Sequence, residues 1–185
     1  MKWISGIIFL ILSLTQIFGQ DHFVVAIEMF EPSEQEIITM MKGSKVETFL
    51  AKDTKNKDHY SKDYTGRNML LWFWSSNDEM SVEYATLMKN LSKSSEKGIQ
   101  IFGFAHDKRE ELIEIEEELA LEFPNFPNSE KLGDVAYAGE LGLNRMLFVD
   151  DTGIIREILP RSFFKERTPL QSKEVLDAIL TQLKI

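Results

Sequence analysis

The chain has 185 residues, 43% of them apolar, and a formal net charge of −9. That is enough apolar sequence for one domain with a proper core, and the acidic balance, with no basic stripe, excludes a phosphate-tracking nucleic-acid binder. There are no cysteines, which excludes disulfides, thiolate chemistry and zinc sites built on thiolates.

Residues 1–19 place Lys2 before an apolar stretch and offer Gly19 as a small residue ahead of a cut at Gln20. This is the pattern of a secretory signal peptide. The run Trp3 to Phe18 is shorter than the ~20 residues a membrane span needs, so no integral span is expected after cleavage. Residues 20–45 read as an N-terminal extension, with a strand at Phe23 to Ile27 and a helix at Glu34 to Lys42. In that helix Ile37, Ile38 and Met41 share one side. Residues 46–185 form the main domain.

Val46 to Leu50 alternates as a short strand, Asp53 to Asp58 is a polar turn, and Lys62 to Arg67 is a loop. Met69 to Trp74 is an apolar run that predicts a strand buried on both faces. Trp72 and Trp74 share one of those faces as core residues. A helix follows at once, with Met80, Tyr84, Leu87, Met88 and Leu91 on its inner side and Ser76 with Glu79 as a capping box. A buried strand emptying into a helix N-terminus is a usual seat for chemistry in an α/β chain.

Ser92 to Gly98 is a polar connector and Ile99 to Ala105 a second buried strand. Asp107 with Glu110 reads as a capping box for a helix reaching Glu122, with Leu112, Ile115 and Leu119 inward. The acidic residues on that helix read as a solvated face. Phe123 to Pro127 breaks it, and Gly133 to Leu143 holds a short helix. Met146 to Val149 and Ile154 to Leu159 form a hairpin about Asp150 to Gly153. Pro160 to Pro169 reads as a loop, and Glu174 to Lys184 closes the chain as a helix. His22, His59 and His106 are scattered and lack the spacing of metal ligands, so no metal is expected.

Several stretches carry a resemblance. Asp53-Thr-Lys-Asn-Lys57 stands where a D-x-x-G-K turn would be, and Tyr60 to Arg67 where V-S-L-S-D-Y-K-G-K would be. Leu70 to Ser76 stands for LLNFWAS. Leu147-Phe-Val-Asp150 with Gly153 stands for the end of P-T-T-F-L-I-D-x-x-G. On these residues the chain resembles the thioredoxin-like redoxins of the TlpA/ResA and AhpC/TSA-type branch, from Val46 to the C-terminus. The resemblance implies an α/β, thioredoxin-like fold: a central mixed β-sheet flanked by helices, here with an N-terminal strand and helix added.

It also implies a W-C-x-x-C motif opening the helix, whose thiolate is stabilised by the helix N-terminus, and a proline loop opposite. In that register Asn77 takes the tryptophan position, Asp78 the first cysteine and Ser81 the second. The proline position falls on Asn144 or is lost in a shortened loop. Asp78, Ser81 and Asn144 are thus degenerate active-site positions, with Trp74, Ser76, Asn77, Glu79 and Arg145 as candidates to line the groove. No catalytic residue and no cofactor is expected. Asp78 reads either as a fixed charge standing in for the thiolate or as an ordinary acidic residue of a first helical turn.

The function expected is an exported, non-catalytic module in a bacterial cell envelope, periplasmic or secreted, that binds an envelope protein or peptide. The alternative is a thiol-disulfide oxidoreductase or peroxidase-like redoxin with altered, cysteine-independent activity. A third reading is an envelope-assembly part whose N-terminal extension makes the contacts.

Overall fold

The computed structural model describes residues 32–93 and 98–182. The leader, the strand expected at Phe23 to Ile27 and Leu183 of the last helix lie outside the described residues. The elements in order are α1 (Glu34–Met41), β1 (Leu50–Lys52), β2 (Asp58–Tyr60), β3 (Asn68–Trp74), α2 (Glu79–Lys93), β4 (Ile99–Ala105) and α3 (Arg109–Leu119). Then come β5 (Asn125–Phe126), α4 (Glu130–Ala136), β6 (Arg145–Val149), β7 (Ile155–Leu159), α5 (Arg161–Lys165) and α6 (Pro169–Gln182).

The central sheet has five strands in the order β5-β4-β3-β6-β7. β4 runs parallel to β3 and to β5, while β6 is antiparallel to β3 and to β7. This is the expected mixed sheet. β3 sits in the middle because every residue from Met69 to Trp74 is buried. Strand alternation sends Leu70, Trp72 and Trp74 to one side, where they meet Tyr84, Leu87, Met88 and Leu91 of α2, Leu112 of α3 and Leu176 and Leu180 of α6. Met69, Leu71 and Phe73 go to the other side, among Phe49, Phe102, Phe104, Phe126 and Tyr137. Burying one large apolar side chain stabilises by about 1.5–3 kcal/mol, so these two layers carry the fold.

The two indoles stack at 4.7 Å and 5°. Trp74 Nε1 donates to Asn125 Oδ1 at 3.2 Å, and the Asn125 amide crosses Gly103, where a Cβ would overlap it. α1 lies against the second layer through Ile37, Ile38 and Met41.

Several elements depart from the sequence expectation. The strand expected from Val46 begins only at Leu50, and Asp58 belongs to β2 instead of the turn. β5 is two residues long and shows no periodicity. Pro160 to Pro169 is not all loop, since α5 occupies its first half. α6 starts at Pro169, not at Glu174. Thr168 N–H donates to Gln171 Oε1 at 2.9 Å and Gln171 N–H to Thr168 Oγ1 at 3.4 Å, a capping box with proline at the first helical position. Among the described residues no helix is long and apolar enough to cross a membrane.

Candidate functional site

The C-terminal ends of β3 and β4, the start of α2 and the loop before β6 meet at one end of the central strands. Asp78 is the N-cap of α2, and its carbonyl accepts the Val82 N–H at 3.1 Å. Its Oδ2 accepts the Ser81 N–H at 3.0 Å and the Ser81 hydroxyl at 2.7 Å. This is the ordinary reward of an Asp at that position, about 0.5–2 kcal/mol. The N-cap is therefore Asp78, two residues after the Ser76 expected, and Glu79 is the first residue of the helix instead of a capping-box partner.

Ser76 has another partner. Asp107, at the end of β4 and 3% exposed, accepts the Ser76 N–H at 3.0 Å and hydrogen bonds from the Ser75 and Ser76 hydroxyls. So Asp107 fastens the β3–α2 loop and does not cap α3. The N-cap of α3 is Lys108, whose N–H donates to Glu111 at 3.2 Å. Parallel strands β3 and β4 end side by side, so the loop serines of one are in reach of the acid after the other. That adjacency is the signal by which the sequence could have found Asp107.

Opposite α2, Gly142 to Asn144 lead into β6. Asn144 has φ +59°, in the left-handed region, and is fully buried. Its N–H donates to the Phe73 carbonyl at 2.6 Å, and its Oδ1 accepts the Trp72 indole N–H at 2.8 Å. Asn tolerates this backbone where most residues do not. Proline does not, because its φ is fixed near −65° and it has no N–H.

Arg161 closes the space between these parts. From the first turn of α5 it donates from Nη2 to Asp78 Oδ1 at 2.6 Å and from Nη1 to the Leu143 carbonyl at 3.4 Å. Its stem lies on Gly142, where a Cβ would meet Arg161 Cδ at 3.1 Å and Cβ at 3.2 Å. Burial works to raise the Asp78 pKa, but hydrogen bonds from Arg161 and Ser81 outweigh it and hold the carboxyl below its usual value. In return, the Asp78 hydrogen bond raises Arg161.

Asp78 is therefore the N-cap just ahead of the first turn of α2, and its charge is matched from inside the chain by Arg161. Linear pattern gave no sign of Arg161, which lies in the stretch read as loop. Nor do Asp78 and Ser81 make a nucleophile and base. Ser81 is fully buried, and a carboxylate held low in pKa is a weak base.

The groove candidates divide. Asn77 and Glu79 are exposed and Ser76 half-buried beside Asp78. Trp74 and Arg145 do not line any groove, which corrects the expectation. Trp74 is in the core, and Arg145 is 1% exposed on the Phe73 side of the sheet. The Arg145 guanidinium lies 4.2 Å from the Phe73 ring, with Nε donating to the Tyr137 carbonyl at 2.9 Å and Nη1 to the Gly142 carbonyl at 2.7 Å. Burial lowers its pKa to about 10. His59 is also internal, its Nε2 2.9 Å from Asp53 Oδ2 and its Nδ1 2.6 Å from the Tyr64 hydroxyl.

A hollow of about 370 Å³ lies away from this site, lined by Thr54, Lys55, Ile113, Glu116, Glu117 and Leu121. Burial pushes Glu116 up in pKa there, against hydrogen bonds from Thr54 and Asn125.

A five-stranded mixed sheet between helical layers, with its site where β3 feeds α2 and a loop before β6 stands opposite, defines a thioredoxin-like redoxin fold. In this chain the fold carries no cysteine. The AhpC/TSA family profile matches residues 42–158, and the chain belongs to that family.

Solved structures with the same fold include a secreted disulfide oxidoreductase of Mycobacterium tuberculosis homologous to E. coli DsbE. It is 14% identical, with 72% of this chain and 95% of that one covered, at a TM-score of 0.61. A thiol:disulfide interchange protein of the thioredoxin family from Chlorobium tepidum is 14% identical, with coverages of 75% and 97% and a TM-score of 0.62. The thioredoxin domain of a thiol-disulfide oxidoreductase from Bacteroides vulgatus is 21% identical, with coverages of 68% and 94% and a TM-score of 0.56. At these identities the likeness is one of fold. No curated protein matches the chain.

Proposed function

We propose that this chain is an exported redoxin-fold protein that has given up thiol chemistry and serves as a non-catalytic protein- or peptide-binding module of the cell envelope. One observation carries the reading. Where the family's reaction needs a thiolate at a helix N-terminus, this chain has a carboxylate, Asp78, tied to Ser81 and to Arg161. The chain has no sulfur nucleophile anywhere, and methionine sulfur does not turn over without a separate reductase. A retained fold with a rebuilt, internally bonded site is what a binding role would keep.

Export is part of the proposal. It rests on the leader pattern at residues 1–19 and is in keeping with a fold shared with a secreted oxidoreductase. The division into leader, extension (20–45) and redoxin domain (46–185) goes with it. Intact mass of material from the cells that make it should lack residues 1–19, while full-length mass in a washed membrane fraction contradicts export.

The test of binding is photo-crosslinking in those cells from an unnatural amino acid at Asn77 or Glu79, both exposed beside Asp78. One dominant protein adduct, absent when the probe is placed at Lys173 on α6, is the expected result. Adducts no different from the Lys173 control defeat the reading.

A further inference from the structure

The guanidinium of Arg161 sits in a receptor made by other parts of the chain. Asp78 Oδ1 and the Leu143 carbonyl offer two acceptors to two of its nitrogens, and Gly142 supplies a flat floor under its stem. A planar fork spans two acceptors where an ammonium does not. We propose that this receptor takes an arginine side chain of a partner segment in exchange for Arg161. The inference rests on the binding-module reading above and names the chemistry of its ligand.

Three observations support the exchange. The first is that Arg161 can leave. It opens the five-residue helix α5, of which only Phe164 is buried, and its side chain is 29% exposed. The second is the set of groups an incoming segment meets. The Asn144 N–H is spent on Phe73, and both Ser81 donors on Asp78. Once Arg161 swings out, the two groups that held its guanidinium are a carboxylate and a carbonyl, both acceptors, so a group that takes the same place must bring donors. The third is charge. The chain carries −9 overall, and exposed Glu79 adjoins Asp78. A cationic ligand is drawn in by that field and an anionic one repelled.

The experiment removes the resident occupant. Isotope-labelled Arg161→Ala and wild type are titrated with N-ethylguanidinium chloride and with ethylammonium chloride, following the Ser81 and Val82 amide resonances by NMR. Saturable shifts are expected in Arg161→Ala, about tenfold tighter for ethylguanidinium than for ethylammonium and about tenfold tighter than in wild type, a difference of about 1.4 kcal/mol. Adding Asp78→Asn should abolish them. Should Arg161→Ala not fold, Arg161→Gln carries the same titration.

Binding no tighter than in wild type, or no preference for the guanidinium, overturns the receptor. A partner crosslinked equally well by wild type and by Asp78→Asn overturns the arginine exchange while leaving the binding module standing. Saturable ethylguanidinium binding with no partner captured supports the receptor and sinks the binding module.

Discussion

Restoring the family's proline is the natural way to try to revive this site, and the structure says it should instead damage the fold. Asn144→Pro removes the N–H that reaches the buried Phe73 carbonyl at 2.6 Å, and the amide oxygen that receives the Trp72 indole at 2.8 Å. Each buried partner left unmatched costs about 1–3 kcal/mol. The ring also forbids the φ of +59° found there. That mismatch adds upwards of ~1 kcal/mol.

The total is on the order of 3–7 kcal/mol, against the 5–15 kcal/mol by which a domain is usually stable. Urea unfolding followed by tryptophan fluorescence measures it directly. Asn144→Gly is the control: it keeps the backbone and the N–H, loses only the indole acceptor, and should cost about 1–2 kcal/mol. An Asn144→Pro protein within about 1 kcal/mol of wild type would refute the reasoning. It would mean that the loop takes up a proline conformation at little cost.

Four further outcomes are expected. Asp78→Cys with Ser81→Cys should form an internal disulfide, because the two side chains already meet at 2.7 Å, and the thiol at position 78 should titrate below the ~8.5 of a free cysteine beside Arg161 and the helix start; thiolate ultraviolet absorbance against pH decides it. The pair Ser76→Cys with Glu79→Cys should give a less acidic thiol and a less stable domain, since the substitution removes the Ser76 hydroxyl that donates to Asp107. The wild-type protein should neither speed insulin reduction by dithiothreitol nor turn over peroxide, and catalytic turnover in either assay would contradict the loss of thiol chemistry. Finally, Asp78 and Asp150 both have depressed folded-state pKa values, Asp150 near 2. For Asp150 too, burial works upward but hydrogen bonds from Thr152, Ile154 and Arg156 prevail. Their contribution is present above the unfolded value of ~3.9 and is lost as pH falls from about 4 toward 2; urea midpoints should drop over that window, and less so in Asp78→Asn, whereas parallel curves would rule out Asp78 as a contributor.

Much of the fold was legible because it is written in local periods. The run Met69 to Trp74 and the spacing of Tyr84, Leu87, Met88 and Leu91 predict β3 and the inner face of α2, and both are buried as expected. Ile99 to Ala105 likewise gives β4. Elements of two or three residues did not announce themselves. β5 owes its existence to pairing with β4 at Gly103 and Phe104, and β2 to pairing with β1. Helix starts were misjudged where a better local partner was available. Asp78 outbids Ser76 for the N-cap because Ser76 is held by Asp107 across the sheet.

The site was legible at one end and not at the other. Asp78 was legible as an acid at a helix start, where the first free N–H groups already favour a carboxylate, and nothing around it in the sequence pointed to a cation. Arg145, next to Asn144, was expected only as a residue lining the groove, and it does not reach Asp78. Strand parity is the reason: β6 pairs Arg145 with Phe73 of β3, whose side chain points away from the Trp72 and Trp74 layer. Arg145 is thus carried under the sheet to the Tyr137 and Gly142 carbonyls. The cation that pairs with Asp78 comes from beyond β7, at the start of α5, and is Arg161. It is 83 positions from its partner, a separation at which no local pattern survives. What fixes the pairing is the sheet order, which sets β7 and the start of α5 two strands from β3.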